Sequence, residues 1–346
     1  MKKIGITIAH LDKIDKIINS NGISQNIIFF YNYMKKIENI DFYLISNKKN
    51  SNYKSINISD LETIKTLDFL ICGGMVIEYP ILKMCKEKNI RLIYWRFGND
   101  LIYETNNMLH NNESSSSLLI NYIYDEIWIS PHFEYGIDYY KYVHKNENVI
   151  VAPYFWDPFY LDQKINNSFD KINIGVFESN LNFSKSCFIP IMICEKAKNL
   201  INKAYILSGK KMYDTNKNFR EFLTLSDLFK NKNMTAEKRH KFLYVMKNYC
   251  NVVVSFVENC DLNYLFLECF YLGIPLVHNS KILKDYGYYY DGYNISQAVE
   301  HIKNIKNKFN KEEYIEKHKE ILYKYSLKNE TSQLFFKRKF NLINEN

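Results

Sequence analysis

The chain has 346 residues, more than a single core readily supports and enough for two domains. Its 46 Lys and Arg against 38 Asp and Glu leave a formal charge of +8, a balance that by itself is compatible with nucleic acid or an anionic membrane. The lysines are interleaved with Glu and Asn along the whole length instead of gathering in one stretch, which disfavours nucleic acid and suits a phosphate-bearing small molecule.

The opening run MKKIGITIAHLDKID holds about six apolar residues before charge returns, too few for a signal peptide or membrane span. Cysteines 72, 85, 187, 194, 250, 260 and 269 include no CxxC and no His pair at zinc spacing, so they read as small buried hydrophobes in a reducing compartment. A cytoplasmic location without a transmembrane segment is expected. Asn-x-Ser/Thr sites such as Asn57 and Asn182 then follow from Asn-rich composition and not from glycosylation.

Short β-rich runs alternate with helical patterns throughout, which predicts an α/β protein with parallel sheets. In the first half, strands are expected at 3–9, 42–46, 69–72, 91–95, 126–129 and 149–152, with helices such as 25–37, 77–87 and 135–142 between them. The proline-containing segment APYFWDPFYLDQKINNSFDK reads as the boundary. Beyond it, strands are expected at 171–177, 204–208, 252–256 and 275–278. The fold class is therefore two tandem Rossmann-like, doubly wound parallel-sheet domains facing a cleft, at 1–160 and 161–325. The charged tail at 326–346 reads as a surface helix packing across the domain boundary.

Ligands of open parallel sheets bind beyond the carboxyl ends of the strands. The residues there are His10, Gly73-Gly74, Arg96 with Asp100, and His132 in the first half, then Glu178, Asn180, Gly209-Lys210, Glu258 and His278 in the second. Asn21-Gly22 precedes an amphipathic helix with Ser24 as its expected N-cap, a start able to attract an anion. It lies about a dozen residues past the first strand, unlike the tight GxGxxG turn, which disfavours NAD. Lys185, at a loop–helix junction, reads either as an exposed lysine or as a point charge for a diphosphate. Tyr94 and Trp95 offer a sugar-stacking face or ordinary core packing.

The most informative stretch is VVVSFVENCDLNYLFLECFYLGIPLVHNS, residues 252–280: a buried strand, a polar loop with Glu258 and Asp261, a helix capped by Asp261 or Asn263, and a second strand. Glu268 lies among apolar neighbours within the helix, and a buried carboxylate needs a partner such as ribose hydroxyls. This stretch resembles the donor-site motif of retaining glycosyltransferases of the GT-B fold, in which a Glu, seven residues and a second Glu precede small-Gly-x-Pro-Val. Anchored on Gly273-Ile274-Pro275, the resemblance puts Glu268 on the glutamate that holds the nucleotide ribose and Cys260 on the first glutamate, with Glu258 two residues early. Lys185 matches the phosphate-binding lysine. The arginine before it is absent, Glu178 and Asn180 occupying that region, and Gly22 matches the glycine-rich loop after the first strand. A closer likeness, through FESNLNFSKSCFIPIMICE, YDEIWISPHFE, PYFWDPFYL and LGIPLVHNS, is to an uncharacterised GT-B-like microbial family, which strengthens the fold more than the function.

The resemblance implies a glycosyltransferase that moves a sugar from a nucleoside-diphosphate sugar such as a UDP-sugar to a glycan, lipid or small-molecule acceptor. Donor-binding candidates are Glu268, Lys185, Asn180 and Gly22, with Cys260, Asn263 and His278 beside them. Catalytic candidates are Glu258, His10, Asp100 and His132. No Asp-x-Asp follows a strand, so no metal and no cofactor is expected to be required, and a retaining reaction needs no strong protein base. The rival expectation is a catalytically silent nucleotide-sugar binder or scaffold of the same fold.

Overall fold

The computed structural model describes residues 1–18, 21–109, 123–161, 165 and 168–343. The chain forms two compact units, one made of Met1–Asp157 with Tyr323–Asn346 and the other of Pro158–Leu322.

The first unit is built on a parallel sheet of β1 (Lys2–Ile8), β2 (Ile40–Ser46), β3 (Ser55–Asn57), β4 (Phe69–Gly74), β5 (Arg91–Arg96), β6 (Glu126–Ile129) and β7 (Val149–Val151). Their order is β3-β2-β1-β4-β5-β6-β7, with Ile4 opposite both Phe42 and Phe69. The central strand β1 is buried from Ile4 onward because helices cover both faces of such a sheet. Gly74 lies where β1 and β4 approach closely: a Cβ there would stand 2.9 Å from the Thr7 carbonyl oxygen.

The helix Gly22–Met34 buries Ile27, Ile28, Phe29 and Phe30. Its N-cap is Asn21, whose side chain accepts from the Ser24 amide at 3.1 Å, and not Ser24 as the sequence predicts. Asn21 has the extended backbone a cap requires, whereas Ser24 is already inside the first turn. The segment expected as one helix from 135 begins as a 3-10 turn, Pro131–Gly136, and continues as the helix Ile137–His144.

The chain returns to the first unit at its end. The Trp156 amide donates to the Tyr325 carbonyl at 2.7 Å, and the terminal helix Glu330–Lys339 follows. Its pattern is charged, yet Phe336 and Phe340 are fully buried. Phe336 packs 4.8 Å from Phe30, 5.3 Å from Phe155 and 5.7 Å from Trp128, ring centre to ring centre. Trp95 lies 5.8 Å from the same ring, so this tryptophan is core and not a stacking face.

The second unit has the parallel sheet β8 (Asn173–Val176), β9 (Lys203–Ile206), β10 (Met234–Ala236), β11 (Val252–Val254), β12 (Leu276–His278) and β13 (Tyr288–Tyr289), in the order β10-β9-β8-β11-β12-β13. The helices Phe188–Lys196 and Ile295–Lys308 pack on each other, and their Ile191, Ile193, Ile302 and Ile305 share one core with Val252 and Val254. The helix Tyr264–Leu272 stops at Gly273, whose φ of +67° is the left-handed conformation that closes a helix, and Pro275 then leads into β12. Strands β3, β10 and β13, absent from the sequence expectation, are all edge strands of two or three residues. No helix among the described residues is long and apolar enough to cross a membrane.

Truncating Phe336 to Ala should destabilise the first unit by about 3–5 kcal/mol, the usual cost of emptying a buried phenylalanine site. Urea unfolding followed by tryptophan fluorescence would measure it, since Trp95, Trp128 and Trp156 all lie in that unit. A substitution at the exposed neighbouring position, Arg338→Ala, should change stability by less than about 0.5 kcal/mol.

Candidate functional site

Parallel pairing places the carboxyl ends of β8, β11 and β12 on one edge of the second sheet. Their loops are laced together by side chains. Asn180, left-handed at φ 56°, donates through Nδ2 to the Glu178 carbonyl at 3.1 Å and accepts through Oδ1 from the Cys187 amide at 2.8 Å. Its own amide donates to the Lys185 carbonyl at 3.0 Å, which closes the loop from 180 to 187 on itself. The Glu258 amide donates to the Ser184 carbonyl at 2.9 Å, joining the β11 loop to the β8 loop. Asn279 exchanges two bonds with the backbone of Val257, at 2.8 and 2.9 Å, and joins the β12 loop to the same frame.

Lys185 projects from this frame, partly exposed and in no ion pair among the described residues. The buried hydroxyls of Ser184 and Ser186 flank it without a hydrogen-bond partner among the described residues. Glu258 accepts from the Tyr293 hydroxyl at 3.3 Å. Cys260 is buried, at the position the family resemblance gives to a glutamate. Asn263 caps the helix Tyr264–Leu272 by accepting from the Leu265 amide, while Asp261 accepts instead from the Lys281 amide at 2.6 Å. Glu268 is buried, and Tyr160 donates its hydroxyl to Oε1 at 2.6 Å. Tyr160 lies in the segment PYFWDPFYL, whose likeness carried no residue role. Its only sequence signal is a tyrosine at the boundary, and the need of Glu268 for a partner does not say which group supplies it.

His278 is placed differently from its expected role. It is fully buried, accepts at Nδ1 from the Ser280 amide at 3.1 Å, and its Nε2 lies 2.9 Å from the Tyr286 carbonyl, so both nitrogens are used within the fold. Burial, opposed by the bond to Tyr286, depresses its pKa to about 4. Nearby His318 is also buried, stacks on Phe270 at 4.2 Å and accepts from the Gly287 amide at 2.7 Å, and burial depresses its pKa to about 4 as well.

In the first unit the strand ends carry the expected groups. His10 follows β1, exposed and left-handed at φ 55°. Gly22 opens its helix, with open space where a Cβ would stand. Asp100 is held by Arg96 through both carboxylate oxygens, one at 2.8 Å from Nη2, and Arg96 also donates to the Tyr94 hydroxyl at 2.8 Å. His132 is buried against Phe133 and Tyr154. Of the catalytic candidates in this unit, His10, Asp100 and His132, His10 alone is exposed.

Two grooves of about 350 and 370 Å³ open on the second unit. One is lined by Gly273, Phe309 and Lys311, the other by Asn173, Lys247 and Asn251. Both involve residues that precede β8, β11 or β12, the amino edge of the sheet, so neither coincides with the loops around Lys185.

Across residues 4–340 the sequence matches the family DUF2827, described as a protein of unknown function. No curated protein matches it significantly in sequence. Among solved structures, sucrose-phosphate synthase from Thermosynechococcus elongatus is similar with a TM-score of 0.62 over 99% of both chains at 11% identity. Anabaena HepE in complex with UDP and glucose is similar with a TM-score of 0.65 over 99% of this chain and 100% of that one, at 11% identity. A glycosyltransferase from Rickettsia africae is similar with a TM-score of 0.61 over 99% of both chains at 12% identity. The fold is thus that of the GT-B glycosyltransferases, as the resemblance in the sequence implies.

The buried histidines set a pH response of stability. An unfolded histidine titrates near about 6.5, so as pH falls below that value the unfolded chain binds protons that folded His278 and His318 refuse. The two rings should therefore cost the second unit stability progressively from about pH 6.5 to about pH 4, offset in part by Glu178, whose carboxyl burial raises to about 7, and they contribute nothing above that window. Thermal unfolding across pH checks the slope, and ring chemical shifts that move near pH 6.5 in the folded protein would contradict it.

Proposed function

The chain belongs to DUF2827, a family of proteins of unknown function, and from its fold and site we propose that it is a glycosyltransferase that transfers a sugar from a nucleoside-diphosphate sugar to a glycan, lipid or small-molecule acceptor. The observation that carries this reading is a buried glutamate, Glu268, oriented by a tyrosine hydroxyl in the unit whose strand-end loops also present Lys185 without an ion pair among the described residues. HepE, solved with UDP and glucose, supports a sugar nucleotide as the ligand class, with UDP the first nucleotide to test.

In this reading Glu268 accepts from the ribose hydroxyls, and Tyr160 fixes the carboxylate that receives them. Lys185 answers the diphosphate. Its ammonium is a mobile point charge, and the negative charge that grows on the departing phosphate is the charge it stabilises. The amides at the start of the helix Phe188–Lys196 add a positive end of the helix dipole near the same loop. The reaction is metal-independent and proceeds with retention: the acceptor proton passes to the leaving phosphate, so no side chain has to act as a strong base. Glu258 or the backbone amides beside Cys260 face the donor sugar. The first unit takes the acceptor, with His10 the accessible titratable group at the end of β1.

A second reading has its own observation. The first-glutamate position holds the buried thiol of Cys260, and Glu258 is engaged by Tyr293, which favours a catalytically silent sugar-nucleotide binder. Chemistry separates the two, since only the enzyme releases free nucleoside diphosphate from its donor in the presence of acceptor or water.

In a thermal-shift screen of UDP-, GDP-, ADP- and dTDP-glucose, one donor should raise the unfolding midpoint, because a ligand bound only by the folded state adds to its stability. Glu268→Ala and Lys185→Ala should each weaken that donor by about tenfold or more, the worth of a charge-assisted bond, with an unchanged circular dichroism spectrum. Unchanged affinity in both variants would remove the site assignment. Nucleotide release that is undetectable with a bound donor would favour the silent binder.

A further inference from the structure

Glu178 is a group that the proposed reaction leaves unused. It stands two residues past β8 and is 1% exposed. Oε1 accepts from the Ser255 hydroxyl and, at 3.2 Å, from the Phe256 amide, both just past β11. Its backbone carbonyl is held by Asn180, which also ties down the Lys185 carbonyl. The carboxyl thus anchors the loop that carries Lys185 to the loop that carries Glu258. Glu178 and Lys185 attract one another without forming an ion pair within 4 Å among the described residues.

We propose that Glu178 is the positioning residue for Lys185 and the proton-uptake site of the protein, taking a proton from solvent when an anionic diphosphate binds at Lys185. This rests on the reading of Lys185 as the diphosphate partner. In the free protein the attraction of the lysine charge offsets part of the cost that burial puts on the ionised carboxyl. An arriving diphosphate claims that charge and adds its own repulsion, and a carboxylate buried to this degree relieves it by protonation. Burial already raises the carboxyl to about 7, against the opposing effects of Ser255, Lys185 and the Phe256 amide, so the proton is available near neutrality. The other titratable groups around it are Cys187, whose thiol burial pushes to about 12, and Tyr290, whose buried phenol is raised and donates to the Ser255 carbonyl at 2.9 Å. Both are uncharged near neutrality, which leaves Lys185 as the charge that Glu178 answers to. By linkage, the proton that the ligand draws in must in turn favour the ligand, so affinity falls as pH rises through the titration of the free carboxyl.

The test uses the full chain and whichever of UDP-, GDP-, ADP- and dTDP-glucose binds tightest, since their diphosphate diester does not itself titrate near neutrality. Calorimetry at about pH 7.5 in Tris and in Hepes should show net proton uptake by the wild type and none by Glu178→Gln, which keeps a side-chain oxygen for Ser255 and Phe256. Wild-type affinity should weaken about tenfold between about pH 6 and pH 9, the equivalent of a one-unit rise in the carboxyl's pKa on binding, while the variant's stays level. A donor that binds without proton uptake, or a variant weaker at every pH with the wild-type profile, overturns the inference and leaves the donor reading standing. Absence of binding by all four donors overturns both.

Discussion

Parallel strands buried on both faces can be joined only by crossovers, usually helical, and every strand of such a sheet ends on the same edge. That constraint governs this protein. Apolar residues fill the strands, so polar residues fall into the loops beyond them, and parallel pairing gathers those loops whether or not they are close in sequence. Glu178, Lys185, Glu258 and Asn279 are spread over a hundred residues and belong to one connected frame because β8, β11 and β12 are neighbours in register.

Gathering polar loops at a partly buried edge has a cost, since each amide and carbonyl removed from water needs a partner. Asparagine meets much of it here. Asn180 both donates and accepts within its own loop and Asn279 does so between two loops, which few side chains of that size can do. The same residue type caps helices at Asn21, Asn216, Asn263, Asn294, Asn310 and Asn329. A composition that reads as bias in the sequence is put to structural use, because a short amide side chain competes well for backbone groups at turns and poorly inside helices. The rigid frame also explains how the site departs from the GT-B pattern. The Glu258 amide is bonded to Ser184, so the backbone that carries Glu258 is fixed by the loop of Lys185, and Cys260 is left to pack inside.

The first unit shows a different economy. Aromatic residues make up 16% of the chain, and here they form a core in which Phe30, Trp95, Trp128, Phe155 and Phe336 meet at edges and tilted faces, the arrangement their quadrupoles favour. The ring of Phe336 meets Phe30 across about three hundred residues of sequence, so this core joins distant parts of the chain. Arg96 is partly enclosed. Its guanidinium is divided between Asp100 and Tyr94, which makes that trio a partly buried brace at the end of β5.

The sequence alone determined the fold class and the site's raw material, because hydrophobic runs of the right length, Gly273 with Pro275 after a helix, and polar residues at strand ends are local signals. It placed the central strands well and missed β3, β10 and β13, since two or three residues at an edge carry no periodicity to read. It could say that Glu268 needs a partner, but only the folded chain brought Tyr160 to it across more than a hundred residues. It offered His278 as a ligand on position alone, whereas tertiary structure turned the ring inward and spent both nitrogens on Tyr286 and Ser280. The physical reason is the same in each case: hydrophobic pattern is set by neighbours along the chain, while the partner and charge of a buried polar group are set by whatever packing brings against it.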